Sequence, residues 1–277
     1  MIAVLGFLSM NPIAITDQEF SQFQRFIYEA AGINLSPAKK ALITGRLAKR
    51  LQHRRLGSYG EYFRLLASGD VPDEVQTAVD LLTTNETYFF REPKHFQFLR
   101  EHAAATRRYT ESFRVWSAAC SSGEEVYSIA MVLEDCLGSG AWDVLGSDIS
   151  SRVLQRARTG HYIEERARHV SRSYLQRFCL KGIDEQKGTL LIARSLRERV
   201  RFMQVNLNEP LPRLGVFDMI FLRNVMIYFN GDTKRQVVSR VLSLLKPGGI
   251  FFIGHSESLG GITDAVQQIA PSVYRKP

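Results

Sequence analysis

From residue 113 onward, short runs rich in β-branched and aromatic residues alternate with longer stretches of helical periodicity. Such alternation is typical of an α/β fold, in which a mostly parallel sheet carries helices on both faces. The pattern predicts strands at residues 113–118, 142–146, 200–205, 217–222 and 250–254. It predicts helices at residues 125–136, 151–159 and 233–245. A ligand site is therefore expected at one edge of a parallel sheet.

One segment interrupts this alternation. Residues 160–199 are mostly polar and contain a turn-like stretch at 181–188, which a short apolar run follows at 189–193. The segment predicts a small antiparallel β element, inserted between two strands of the main sheet.

Only helical patterns precede residue 113. Thr16, with Glu19 three residues on, has the form of a capping box, and Gly32 closes the helix that follows. Ser36 and Pro37 predict the start of a second helix at about 37–56, and Gly57 its end. The chain thus divides into the following predicted parts: an N-terminal tail at 1–15, an all-helical domain at 16–82, a linker at 83–92 and an α/β domain at 93–277.

Almost all of the formal net charge of +8 lies on the second predicted helix. That helix contains no acidic residue, and its basic residues are Lys39, Lys40, Arg46, Lys49, Arg50, Arg54 and Arg55. Because exposed helices usually carry some Glu to pair with Lys or Arg, this imbalance predicts a partner with a negative surface. Nucleic acid, an anionic membrane and an acidic protein face are all compatible with it.

The composition excludes several classes of protein. With 45% hydrophobic and 23% charged residues, the chain is neither disordered nor collagen-like. Its cysteines, Cys120, Cys136 and Cys179, show no CxxC pair and no metal-ligand spacing, which predicts reduced thiols in a cytoplasmic protein without a structural metal. Residues 1–10 are apolar, but a bilayer span needs about 20 residues. We expect a tail there and no membrane insertion; a signal peptide is the alternative.

Small and polar residues follow the predicted strands, at the edge where parallel sheets bind ligands. The first strand leads into Gly123, Glu124 and Glu125. Two acids at this turn, and the absence of a GxGxxG pattern, disfavour a dinucleotide and favour a ligand with a positive group. Asp148 ends the second strand, where a carboxylate can accept hydrogen bonds from ribose hydroxyls.

The next two strand ends extend this pattern. Asn206 and Leu207 place an amide beside an apolar surface, which suits the edge and the face of a purine. Arg223 and Asn224 follow the fourth strand. A ribose, a purine and a cation without phosphates describe S-adenosylmethionine, which we predict as the cofactor. The linker adds three polar residues that could cover this cofactor: Asn85, Thr87 and Arg91.

These segments together resemble the chemotaxis receptor methyltransferases, the CheR-type protein-glutamate O-methyltransferases. The matching motifs are TTNETYFFRE at 83–92, VWSAACSSGEEVYS at 115–128, GSDI at 146–149, VNL at 205–207, FLRNVMIYF at 221–229, LLKPGG at 244–249 and GHSES at 254–258. The first and the RNVMIYF part of the fifth are the most specific. Cys120 and Val126 stand where close relatives are expected to have Ala and Pro.

The resemblance implies a class I S-adenosylmethionine methyltransferase, a Rossmann-like α/β fold, with an all-α N-terminal domain and a small inserted antiparallel β-subdomain. It also implies methyl transfer to glutamate side chains on the cytoplasmic helices of chemoreceptors, with S-adenosylhomocysteine as product. The implied cofactor contacts are Asn85, Thr87, Arg91, Glu125, Asp148, Asn206, Leu207, Arg223 and Asn224. In some members the inserted subdomain binds a peptide at the receptor's C-terminus; for residues 160–199 this stays open.

Methyl transfer to a carboxylate needs no general base, because a glutamate with a reference pKa of about 4.3 is already ionised at neutral pH. The protein must align the reactants and remove water. We predict that Arg91 and Tyr228 are the catalytic residues, which orient the incoming carboxylate without neutralising it.

An acidic receptor bundle would also explain the basic helix. We predict that Arg46, Lys49, Arg50 and Arg54 dock on that bundle, and that the protein is a cytoplasmic monomer without a nucleic-acid partner. Two alternatives remain: an RNA methyltransferase that binds RNA through its basic domain, and a non-enzymatic module that binds S-adenosylmethionine. Against the first, the chain has neither an Asn/Asp-Pro-Pro-aromatic loop nor a nucleophilic Cys after the fourth strand.

Overall fold

A computed structural model describes residues 13–106, 112–138 and 140–277, so most of the predicted tail at 1–15 lies outside the described residues. The chain divides into two compact units. The helical unit contains Met1–Ala30 and Asn34–Leu82, and the α/β unit contains Ala31–Ile33 and Thr83–Pro277.

Four α-helices occur in the described part of the N-terminal region: α1 (Asp17–Ala31), α2 (Lys40–Arg54), α3 (Tyr59–Ala67) and α4 (Pro72–Leu82). The predicted capping box is confirmed, since the Glu19 N–H donates to Thr16 Oγ1 at 3.2 Å and the Thr16 N–H donates to Glu19 Oε2 at 2.8 Å. Gly32 ends α1 as predicted, with a left-handed φ of 69°.

The basic helix differs from its prediction at both ends. Pro37–Lys39 form a 3₁₀ turn, and the Ser36 side chain makes no capping hydrogen bond. Helix α2 then ends at Arg54 rather than at Gly57. Arg55 takes a left-handed conformation with φ 54°, so its N–H and that of the next residue turn back to carbonyls of the last helical turn. A residue other than glycine thus makes this stop.

The positive charge of α2 is partly balanced within the helical unit by an acid of another helix, which the count of charges along α2 did not predict. Glu74 of α4 has 1% of its side chain exposed. It accepts hydrogen bonds from Arg50 at 2.9 and 2.5 Å, from Arg54 at 2.9 and 2.6 Å, and from Tyr62 at 2.7 Å. Burial raises the pKa of Glu74, but these donors outweigh burial and bring it to about 2.

Arg46 also has a partner within the helical unit. It donates to the Leu82 carbonyl at 2.9 Å, at the C-terminal end of α4. Together with Arg50 and Arg54, it therefore links α2 to α4. Lys49 is exposed. Among the four residues predicted to dock on a partner, three thus hold the helical unit together.

Replacing Glu74 with glutamine is expected to lower the free energy of unfolding by about 3 kcal/mol at pH 7, because two guanidinium groups lose their counter-charge. The folded-state pKa lies below the ordinary value of 4.5, so this stabilisation is complete above about pH 5 and disappears as the pH falls toward 2. Urea denaturation at pH 7 and pH 3 measures both effects. The exposed-site control Asp70→Asn should behave like wild type, and an equal loss in both variants would contradict the assignment.

Ten strands occur in the described part of the α/β unit: β1 (Phe113–Ser117), β2 (Trp142–Asp148), β3 (His161–Ile163), β4 (Cys179–Lys181), β5 (Thr189–Ile192), β6 (Val200–Gln204), β7 (Phe217–Leu222), β8 (Leu245–Ile253), β9 (Gln267–Ala270) and β10 (Val273–Arg275). Seven form a sheet of order β6-β2-β1-β7-β8-β10-β9. The first five in this order run parallel, and β10 and β9 are antiparallel additions at one edge. The predicted mostly parallel sheet is confirmed.

Six α-helices accompany these strands among the described residues: α5 (Pro93–Thr106), α6 (Glu124–Leu137), α7 (Ser151–Thr159), α8 (Arg172–Phe178), α9 (Arg194–Arg197) and α10 (Gly231–Ser243). The predicted insertion is a three-stranded antiparallel sheet of order β3-β5-β4. It also contains α8, which the polar composition of that segment did not reveal. No helix within the described ranges is long and apolar enough to cross a bilayer.

The core of the α/β unit surrounds its central strands. Val115 of β1, Met219 of β7 and Ile250 of β8 are completely buried. Phe221 and Phe252 stack across β7 and β8 with their ring centroids 4.2 Å apart. Because this packing fixes the central strands, it also fixes the residues at their carboxyl ends.

Candidate active site

A cleft opens where the strand order reverses, between β1 and β7. Open parallel sheets bind ligands at such a point. The residues that line the cleft include all the predicted cofactor contacts and both predicted catalytic residues: Asn85, Thr87, Arg91, Glu125, Asp148, Asn206, Leu207, Arg223, Asn224 and Tyr228. The structure therefore brings together residues from widely separated parts of the sequence.

Residues 83–92, here called the strap, form one wall of the cleft. Phe89 is completely buried and packs edge-on against Tyr162 of β3, with ring centroids 5.0 Å apart. Four hydrogen bonds hold the strap backbone: Ser121 Oγ to the Asn85 carbonyl at 2.9 Å, Arg166 to the Thr87 carbonyl at 2.8 Å, the Phe90 N–H to Ser128 Oγ at 3.0 Å, and Arg223 to the Arg91 carbonyl at 2.5 Å. Because Phe89 and these backbone hydrogen bonds hold the strap in place, its polar side chains line the cleft.

The turn between β1 and α6 brings backbone close to the cleft. Gly123 has φ 93°, and a Cβ there would lie 2.8 Å from the Ala157 Cβ, so only glycine fits. Glu124 is completely buried and pairs with Arg166 at 2.9 Å, while burial raises its pKa. The expectation that two acids face the ligand is therefore wrong for Glu124, and Glu125 alone of the pair lines the cleft.

Asp148, at the end of β2, has both carboxylate oxygens held by backbone. Oδ2 accepts the Ser121 N–H at 2.9 Å and Oδ1 accepts the Ser150 N–H at 3.0 Å. Asn206 is fixed by local bonds of the same kind, since its Oδ1 accepts the Asn208 N–H at 3.0 Å and its Nδ2 donates to Glu209 at 3.0 Å. These hydrogen bonds fix both side chains at the edge of the cleft.

Arg223 is the buried cation of the site, with 1% of its side chain exposed. It pairs with Glu92 at 2.9 Å and with Glu125 at 2.6 Å. Ser117 donates to the other Glu125 oxygen at 2.7 Å. The negative charge of Glu125 is therefore shared with Arg223 and is not wholly available to a cationic ligand. The prediction that the acids of this turn favour a positively charged ligand thus overstated the charge that Glu125 offers.

Arg91 is in a different situation from Arg223. Its side chain donates to the Glu86 carbonyl at 3.1 Å, and its guanidinium carbon lies 5.9 Å from the Tyr88 ring centroid. Within the described ranges it makes no salt bridge. Tyr228, at the end of a 3₁₀ turn, lines the same cleft and is only half-buried, so it is not a core tyrosine. Arg91 can therefore direct its charge toward a bound anion.

Glu257 of the GHSES motif was not among the predicted residues, yet it holds the loop after β7. Its carboxylate accepts the N–H groups of Asn224 at 2.9 Å, Gly254 at 2.7 Å and Ile227 at 3.3 Å. Asn224 has a left-handed φ of 56°, a strained conformation that often marks functional sites. Glu257 thus positions the turn that carries Asn224 and Tyr228.

Glu257→Gln is expected to lower kcat by about tenfold, because an amide has one acceptor oxygen and cannot retain all three charge-assisted bonds. The thermal stability of the protein should change little, because the substitution loosens only this loop. Steady-state kinetics and thermal denaturation of the same sample measure the two. Exposed Glu185→Gln is the matched control, and wild-type kcat in Glu257→Gln would contradict a positioning role.

The first turn after α1 also contributes to the cleft, which no sequence signal indicated. Ala31 and Ile33 line it, and Ile33 forms an isolated antiparallel bridge with Phe229. Gly32 between them is closely surrounded, since a Cβ would lie 2.8 Å from the Thr233 methyl group. The glycine predicted as a helix stop therefore also permits a close approach.

Comparison with known proteins identifies the family. Residues 85–274 match the family described as CheR methyltransferase, SAM binding domain, and residues 18–83 match the CheR methyltransferase, all-alpha domain. The chain is 42% identical over 267 residues to the chemotaxis protein methyltransferase of Escherichia coli K12, covering 95% of this chain and 92% of that protein. It is 40% identical over 265 residues to the Salmonella typhimurium protein of the same name, covering 95% and 91%.

A third relative is chemotaxis protein methyltransferase 2 of Pseudomonas aeruginosa, 40% identical over 262 residues, which cover 94% of this chain and 93% of that protein. The two family matches follow each other along the chain with little gap, as the resemblance implied. The chain belongs to the CheR methyltransferase family.

Proposed function

We propose that this protein transfers a methyl group from S-adenosylmethionine to glutamate side chains of chemoreceptors and produces glutamate methyl esters. The observation that carries this proposal is the position of Arg91, a cation without a carboxylate partner in the described structure, beside the strand ends predicted to hold S-adenosylmethionine. The relatives named chemotaxis protein methyltransferase support the same activity and the same class of substrate.

The residues of the cleft fit S-adenosylmethionine by their chemistry. Asp148 offers carboxylate oxygens to ribose hydroxyls, and Ile149 and Leu207 offer apolar surface to a purine. Glu125 offers partial negative charge to the cationic part of the cofactor. When bound, S-adenosylmethionine supplies a methyl group activated by a sulfonium. The family match to a SAM-binding domain covers all of these positions.

The chain's own residues then have to orient a carboxylate and exclude water. The substrate glutamate is already ionised, so the site requires no proton acceptor. Arg91 attracts and aligns the carboxylate, and the Tyr228 hydroxyl adds a directional hydrogen bond. Neither contact should fully neutralise the nucleophile, because strong ground-state binding would slow the displacement. The strap covers one side of the cleft and limits the access of water.

The exposed part of the basic helix is proposed to dock on the acidic face of a receptor's helical bundle. Lys39, Lys49 and Arg55 are exposed, and Arg54 keeps 37% of its side chain exposed while paired with Glu74. This docking face is narrower than the predicted one, because Arg46 and Arg50 have internal partners. A cytoplasmic monomer remains part of this proposal.

The inserted β-subdomain is a second candidate contact with the receptor. Its strand β4 lies at a sheet edge, and Leu180 within that strand and Ile183 just after it have 60% and 73% of their surface exposed. An edge strand with exposed apolar side chains can accept an extended peptide. Binding of a receptor C-terminal peptide at this edge stays a proposal.

The double change Lys39→Glu with Lys49→Glu is expected to raise KM for the receptor by about fivefold and to leave kcat and cofactor affinity unchanged. Each exposed charge contributes little to the binding free energy and acts mainly on the rate of encounter with the receptor. The effect should shrink at high salt. Initial rates at several receptor concentrations measure it. Arg213→Glu, at an exposed loop position, is the control, and an unchanged KM would contradict docking through α2.

A parallel assay tests the choice of acceptor. The protein is incubated with methyl-labelled S-adenosylmethionine and either chemoreceptor-bearing membranes or RNA. Label on the receptor supports the proposal, whereas label on RNA alone would favour an RNA methyltransferase.

A further inference from the structure

A cluster of metal-ligating side chains lies next to the cleft and has no part in the proposed methyl transfer. Glu92, His95 and His255 place one ligand atom each within 4.8 Å of one another. Glu92 Oε2 lies 3.5 Å from His95 Nδ1 and 3.8 Å from His255 Nε2. A tetrahedral zinc ion with bonds of about 2.0–2.1 Å would hold its ligand atoms roughly 3.4 Å apart. The three groups are therefore close to metal-binding spacing already.

Three buried atoms of this cluster make no hydrogen bond within the part of the chain that the structure describes. Two of them are the ring nitrogens of His95, which is 1% exposed. Glu92 Oε2 is likewise buried without a hydrogen bond, and its contact with Arg223 is an ion pair at 2.9 Å. Buried unsatisfied polar atoms are rare in native proteins, and a bound ion is one of the few physical reasons for them. The arrangement thus points to a ligand.

The donor set and its surroundings define the class of ion. Two imidazoles and one carboxylate match the ligands of zinc and related divalent transition metals, not those of magnesium or calcium. His255 has 50% of its side chain exposed, which provides an entry path. Arg223 pairs with the same Glu92 oxygen at 2.9 Å, so an ion bound to that oxygen meets a competing cation.

We propose that Glu92, His95 and His255 bind one divalent ion of the zinc class, with a fourth position left for water. The same Glu92 oxygen pairs with Arg223, which also contacts Glu125 of the cofactor cleft. An ion on Glu92 therefore competes with Arg223 and weakens the cofactor site. The bound ion takes no part in methyl transfer and acts as a regulator of the α/β unit.

Titration of the purified full chain with Co²⁺ tests the site directly, because Co²⁺ takes zinc positions and reports tetrahedral ligands by its visible absorption. One equivalent is expected to bind and to be displaced by Zn²⁺. His255→Gln should weaken binding by about tenfold or more, since it removes an accessible ligand without disturbing the buried core. His53→Gln, at an exposed position of α2, should bind as wild type does. Absence of saturable binding, or equal binding in His255→Gln, would overturn the proposal.

Binding of S-adenosylhomocysteine tests the coupling. Zn²⁺ at one equivalent should weaken the affinity of the wild type for this product by about threefold or more and leave that of His255→Gln unchanged. Equal affinity of the wild type with and without Zn²⁺ would overturn the inhibitory coupling. Neither titration uses a receptor, so their failure is distinguishable from failure of the proposed methyl transfer.

Discussion

Arg91→Ala is expected to lower kcat for receptor methylation by about 100-fold or more, because the variant loses the preorganised charge that aligns the substrate carboxylate. The fold should not change, since the Arg91 side chain makes one hydrogen bond among the described residues, to the Glu86 carbonyl. Single-turnover label transfer from S-adenosylmethionine measures the chemical step separately from receptor binding. Tyr228→Phe should lose about tenfold, because it removes one neutral hydrogen bond and keeps the ring.

The matched control for Arg91→Ala is Arg213→Ala, which removes an exposed arginine outside the cleft. Its rate should equal that of the wild type. An unchanged rate in Arg91→Ala would remove this residue from the mechanism, whatever its distance from the strand ends.

Arg223→Met is expected to have the largest combined effect, on stability and on cofactor binding. It leaves Glu92 and Glu125 without the cation that they share, and breaking such a buried pair costs about 3–5 kcal/mol. Binding of S-adenosylhomocysteine should fall below detection, because both the strap carbonyl at Arg91 and the Glu125 carboxylate lose their anchor. Urea denaturation and calorimetric titration measure the two losses.

A second variant distinguishes this account from simple damage to the core. Arg223→Met combined with Glu125→Gln removes one of the two uncompensated carboxylates and should recover part of the stability. A double variant less stable than Arg223→Met, or a single variant that binds the product normally, would contradict the role assigned to Arg223.

The parallel sheet could be predicted because its central strands are buried on both faces and therefore form continuous apolar runs, such as Phe217–Leu222. Strands β9 and β10 escaped prediction for the opposite reason. Gln267 and Gln268 of the outermost strand β9 give no apolar signal, and β10, which lies between β8 and β9, has only three residues. Polar composition and short length thus hid these two strands.

That the strand-end residues share one cleft could be predicted from the sequence, because parallel strands bring their carboxyl ends to one edge. Asp148 and Asn206 are far apart in sequence but adjacent in that geometry. Side-chain direction was not predictable in the same way. Glu124 and Glu125 are neighbours in the chain, yet the first is buried against Arg166 and the second faces the cleft.

The main features that could not be predicted from the sequence were ion pairs between residues far apart along the chain. Glu74 neutralises charge on α2 although it lies 24 residues from Arg50 and 20 from Arg54, so a count of charges along α2 overstated the exposed basic surface. Glu92 and His255 meet across 163 residues of sequence. Only the three-residue spacing of Glu92 and His95 was visible in advance, and such a pair alone is too common to indicate a metal site.

The central claim is tested most directly by the chemical bond that the enzyme forms. Chemoreceptor-bearing membranes are incubated with the protein and methyl-labelled S-adenosylmethionine, and the receptor is then treated with mild base. The account predicts label on the receptor that base releases as methanol, assigned by mass spectrometry to glutamate residues and lost with Arg91→Ala. Label that resists base, or a receptor without label, would contradict it.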